Sequence, residues 1–189
     1  YYITNYVFND NMNVRGLSGT VTKTLNDATL DRGLFYPAMA LDSANDIVYS
    51  DFSDTTNRVF YVRRYSAYLG GPAPTRVNLT STLLTSYPTA ISPGKVTPTT
   101  LYVGTANSRF LKLVNANTAI PASVWTDITG PGFVGSISDI AFGANDNQIF
   151  VTMSNYGVTN VWYTLNGGIN WYSLEGNLPD MPVKAIIQN

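Results

Sequence analysis

Carboxylates, arginines and aromatic rings are the side chains of this chain that could take part in chemistry, because it has neither cysteine nor histidine. That absence removes thiol nucleophiles, zinc sites of the Cys/His kind and every histidine-dependent triad or general base. Acid chemistry at Asp and Glu, anion capture by Arg and stacking on aromatic rings remain. Glu175 is the one glutamate among 12 acidic residues, and the others are aspartates set among Gly, Asn, Pro, Ser and Thr. Aspartates in such settings serve chiefly as turn formers, their carboxylates accepting bonds from nearby backbone amides. The densest stretch, Asp42 to Asp54, spreads its acids over two expected strands, so no metal site and no cofactor is expected. The pairs Gly70-Gly71 and Gly167-Gly168 fall in expected hairpins, not between a strand and a helix, so no phosphate cradle is expected.

The most informative spacing lies at Thr164-Leu165-Asn166-Gly167-Gly168-Ile169-Asn170-Trp171. A hydroxyl, an Asx two residues on, a glycine two after that and an indole three later describe a tight hairpin. Side-chain-to-backbone bonds would close it, and the buried indole would pin it.

The elements that position these residues are strands. Apolar residues make up 44% of the 189, enough for a packed core. The shortage of Glu against Asp, with abundant Asn, Gly and Thr, points to an all-β chain. Four short strand families recur about every 50 residues, the period of a four-stranded propeller blade. The first contains Pro37 to Leu41, Pro88 to Ser92, Ser138 to Phe142 and Val183 to Ile187. The second contains Ile47 to Ser50, Leu101 to Gly104 and Ile149 to Thr152, and the third Arg58 to Tyr61, Arg109 to Lys112 and Asn160 to Tyr163. Arg76 to Leu79, Trp125 to Ile128 and Trp171 to Leu174 supply the fourth. The fold expected is therefore a β-propeller of three to four four-stranded antiparallel blades, part of a larger ring. Blades are expected at 35–86, 87–135 and 136–181, with outer strands of a preceding blade in 1–34 and the first strand of another in 182–189. A chain that opens on Tyr1 without a methionine reads as a processed or excised piece. A net charge of −1 gives no case for nucleic acid, and no apolar run is long enough to insert in a membrane.

Residues 164–171 resemble the Asp-box of BNR-repeat propellers, Ser/Thr-x-Asp-x-Gly-x-Thr-Trp. Thr164, Gly168 and Trp171 match, while Asn166 and Asn170 replace the family's Asp and Thr. The stretch from Trp171 to Val183 is similar to the strand and crossover that follow the box in secreted bacterial sortilin-type propellers. The resemblance implies a secreted or cell-surface protein in which Thr164, Asn166, Gly168 and Trp171 hold the fold.

It also implies that ligands meet the opposite loops, here Ser53 to Asn57, Ala106 to Ser108, Gly130 to Phe133, Asn155 to Thr159 and Gly176 to Asp180. Tyr156 and Phe133 are the aromatic rings expected to bind there. Xyloglucanase-like relatives use two facing carboxylates, for which Asp54 and Asp180 occupy suitable loops. Sialidase-like relatives need an arginine cluster, an Arg-Ile-Pro tripeptide and a Glu beside a Tyr nucleophile. This chain lacks the tripeptide, and Glu175 falls at the end of an outer strand. Arg63-Arg64, the best arginine pair, falls on the expected box face. The function expected is a non-catalytic module whose partners are a glycan or protein ligand and the remaining blades of its parent. Part of a glycoside hydrolase, and a structural segment of a surface assembly, are the alternatives.

Overall fold

Runs of Val, Ile, Tyr and Thr interrupted by Gly, Asn, Asp and Pro favour short extended segments joined by tight turns. The computed structural model describes residues 2–5, 12–25, 32–67, 69 and 74–188, and among these every regular element is a strand. The Gly70-Gly71 pair lies outside the described residues.

Strands β1 (Tyr2–Thr4), β2 (Asn13–Arg15) and β3 (Val21–Thr24) form a three-stranded antiparallel sheet. The next sheet contains β4 (Met39–Asp42), β5 (Ile47–Asp51), β6 (Tyr61–Ser66) and β7 (Thr75–Thr80), paired in chain order. It is followed by β8 (Pro88–Pro93), β9 (Leu101–Thr105), β10 (Phe110–Leu113) and β11 (Thr126–Asp127). The last sheet is β12 (Ile137–Phe142), β13 (Ile149–Met153), β14 (Val161–Thr164) and β15 (Tyr172–Ser173). Each is a simple meander in which consecutive strands are neighbours.

The sheets of β4–β7 and β8–β11 bury both faces against their neighbours, and strand alternation divides the residues between the faces. Ile47 and Tyr49 of β5 pack with Leu101, Val103, Leu111 and Leu113 of the following sheet. Val48, pointing the other way, packs with Val14, Leu25 and Tyr65 toward the preceding one. The pattern repeats one sheet on, where Tyr102 and Phe110 meet Ile137, Ile149, Val151 and Trp171. Arg64, buried in β6, crosses the first of these interfaces and donates from Nη1 to the carbonyls of Ala116 (2.6 Å) and Ala119 (3.0 Å).

The structure places one strand family differently from the spacing. In the sheet of β4 to β7 the third strand begins at Tyr61, not at Arg58. The preceding loop is lengthened by a small bridge between Asp54 and Val59, and Arg58 sits in its turn at φ 54°. Residues 182–188 form no paired strand but run beside β12: Val183 N–H donates to Met153 O (3.0 Å) and Ile186 N–H to Asp139 Oδ2 (2.9 Å).

Candidate functional site

Two of the loops singled out by the sequence form one groove. The turn after β13 carries Tyr156 and Gly157, and the chain leaving β15 carries Glu175, Gly176 and Asp180. Gly157 takes φ 73°, a left-handed conformation that glycine adopts freely, and its N–H donates to Asp180 Oδ1 at 2.9 Å. Asn160 N–H donates to Glu175 Oε1 at 3.0 Å. The two segments together line an open groove of about 370 Å³, whose lining includes Val158, Thr159, Leu178 and both carboxylates.

Each carboxylate has one oxygen bonded to a backbone amide, which fixes its orientation. Its second oxygen, Oδ2 of Asp180 or Oε2 of Glu175, has no hydrogen-bond donor among the described residues. Tyr156, the residue before Gly157, is 73% exposed. Asn160, fully buried behind Thr159, donates its side-chain amide to Val158 O, while its Oδ1 has no partner among the described residues. A groove with two oriented acceptors, next in the chain to an exposed phenol ring, suits a hydroxyl-bearing ligand.

The other nominated residues go elsewhere. Phe133 is 7% exposed, with its ring 4.8 Å from Trp171 and 5.5 Å from Trp162. Its faces are used in the core and are closed to a ligand. Asp54 accepts bonds from Thr56 N–H, from Asn57 N–H and side-chain amide, and pairs with Arg32. The Asn57 bonds, with help from Arg32, hold its carboxyl at about 2. A group ionised to that degree cannot serve as a general acid. Three residues away, Asp51 is fully buried, and burial pushes its carboxyl upward against the bonds donated by Ser53 and Leu34.

Arg63 and Arg64 form no joint clamp for a ligand. Arg63 donates to Asn78 Oδ1 (2.7 Å) and lies over the Phe52 ring, whereas Arg64 spans the interface to the next sheet. Among the described residues, no group of three or more His, Cys, Asp or Glu is placed to hold a metal.

The hairpin at 164–171 closes by the bonds its spacing suggests. Gly168 N–H and Asn166 N–H donate to Thr164 Oγ1 (3.1 and 3.3 Å), Thr164 Oγ1 donates to Asn166 Oδ1 (2.9 Å), and Asn170 N–H donates to the same Oδ1 (2.9 Å). The Trp171 indole N–H reaches Ile128 O of the preceding sheet at 2.9 Å, and its ring meets Phe110 and Phe133 edge-on.

With this geometry in place, the comparisons with known proteins concern the fold. No family model and no curated protein matches the chain. A crystal structure of a protein of unknown function from Bacteroides thetaiotaomicron superposes with TM-score 0.55 at 20% identity, covering 87% of this chain and 38% of that one. A GH74 enzyme from Niastella koreensis gives TM-score 0.53 at 15% identity, over 74% of this chain and 22% of the enzyme. The computationally designed protein Ika4 gives TM-score 0.54 at 16% identity, covering 86% of this chain and 84% of the design. The fold is propeller-like. Its four-stranded meanders are the blades, and the chain spans well under half the length of the first two proteins it resembles.

Glu175, which the sequence places at the end of an outer strand and outside the candidate site loops, lines this groove; its being the sole glutamate is the signal that marks it.

Proposed function

We propose that this chain is a non-catalytic propeller module of the BNR/Asp-box kind, acting outside the cell, that binds carbohydrate in the groove beside Tyr156. One observation carries the reading: Asp180 and Glu175 line a single groove with their orientations fixed by backbone amides, and the exposed Tyr156 directly precedes the lining residue Gly157 in the chain. The free carboxylate oxygens would accept from sugar hydroxyls, and the Tyr156 ring would cover the apolar face of a pyranose. Rigid blades would present these groups without a large ordering cost.

Calorimetry with xyloglucan heptasaccharide, alongside an assay of reducing ends released from the polymer, tests this. The module reading expects saturable binding that Tyr156→Ala removes, with no release of reducing ends. Release would favour a second reading, in which the chain is part of a glycoside hydrolase. That reading draws on the likeness to the GH74 enzyme and on two carboxylates lining one cavity. Under it, Asp180→Asn and Glu175→Gln would each abolish hydrolysis, whereas Asp54→Asn would not.

A further inference from the structure

A larger groove lies on the flank between the first two four-stranded blades, and the function proposed above leaves it unused. Its volume is about 610 Å³, and its walls are the turn before β6, the exit from β7 and the loop that precedes β11. Thr80 Oγ1 donates to Pro121 O at 3.1 Å and ties the two blades together at this point. Phe60, Leu83 and Trp125, which belong to the apolar cluster between the blades, form the floor.

The polar groups around this floor are mostly donors. Ser81 Oγ accepts from Leu83 N–H and Ser123 Oγ from Ile120 N–H, which leaves each hydroxyl its proton as a donor that a ligand in the groove could use. Arg58 is the one charged residue of the lining. It is exposed and makes no hydrogen bond or ion pair with the described residues. An exposed guanidinium, two hydroxyl groups and an apolar floor, with no carboxylate in the lining, complement an anionic ligand that is rich in oxygen acceptors and has one apolar face.

We propose that this groove is a second binding site, for a saccharide bearing a uronic acid, with Arg58 pairing its carboxylate and the Phe60 side of the floor packing on its ring. The site is independent of the groove beside Tyr156 and has the opposite charge. The carboxylate supplies what the guanidinium lacks in the free protein, and the hydroxyls supply donors to the ring and ether oxygens.

Calorimetric titration with trigalacturonic acid, and with its uncharged methyl ester, tests the assignment. Arg58→Gln should weaken binding of the acid by about tenfold or more, the worth of one charge-assisted contact, and so should esterification. Thr82→Glu, which adds an acid to the same wall, should do likewise, while Tyr156→Ala should leave the affinity unchanged. The proposal is overturned if trigalacturonic acid gives no heat of binding, if Arg58→Gln binds as the parent does, or if a triaspartate peptide binds equally well. Loss of binding in Tyr156→Ala alone would move the ligand to the other groove and also overturn it.

Discussion

Thr89 and Ser138 occupy the same place in successive blades. Each is bulged out of the innermost strand, between Pro88 and Ala90 in one case and Ile137 and Asp139 in the other. Each donates its hydroxyl to the next innermost segment, Thr89 to Ile137 O at 2.6 Å and Ser138 to Val183 O at 2.5 Å. The repeat makes Val183 the counterpart of Ile137. Bulges free a hydroxyl from strand alternation and aim it across the gap between blades.

If these hydroxyls tie blades together, Thr89→Val and Ser138→Ala should each cost about 1 kcal/mol, the net worth of one such bond. Urea denaturation midpoints compared with the parent would show it. A change below the error of the fit for both variants would mean that the clasp contributes nothing.

Trp171 joins two blades through its ring and its N–H, and it is 9% exposed. Trp171→Ala should therefore destabilise by about 3–5 kcal/mol, and Trp171→Phe by distinctly less. Thermal unfolding followed by circular dichroism would rank the two.

Gly168 and Gly157 both have positive φ, at 96° and 73°. A Cβ on Gly168 would lie 2.8 Å from Ile128 Cβ, whereas one on Gly157 meets nothing within 4 Å. Gly168→Ala should thus cost more than about 2 kcal/mol from strain and overlap together, and Gly157→Ala about 1 kcal/mol from strain alone. Equal losses in chemical denaturation would contradict the close approach of the hairpin to Ile128.

The strands were legible because β-branched and aromatic runs bounded by turn residues have one economical reading, and the Thr164-to-Trp171 spacing specified its own hydrogen bonds. Phe133 was not legible. Between Gly132 and Val134 in a glycine-rich loop it looks exposed, and only partners 29 and 38 residues further along, Trp162 and Trp171, bury it. The start of β6 was hidden for a similar reason, since a bridge between Asp54 and Val59 is a pairing choice that local propensity does not fix. Of the candidate site, Tyr156 and Asp180 were nominated from loop position, but the link through Gly157 N–H that joins their loops depends on tertiary structure.

Asp54 gives a pH dependence of known sign. Its folded carboxyl is held at about 2, against an ordinary 3.8, by the Asn57 bonds and Arg32. The ionised form therefore stabilises the fold, a contribution fully present above about pH 4 and lost as pH falls through about 2. The difference in urea midpoint between the parent and Asp54→Asn should be constant near neutrality and shrink toward zero below about pH 3. A gap that widened on acidification would reverse the assigned shift.

The most direct test of the binding account is a two-dimensional amide NMR titration with xyloglucan heptasaccharide. The account expects the perturbed amides to cluster at Gly157, Val158, Thr159, Glu175 and Gly176, with Asp180 at the edge. An unchanged spectrum at millimolar sugar, or shifts confined to the hairpin at 164–171, would contradict it.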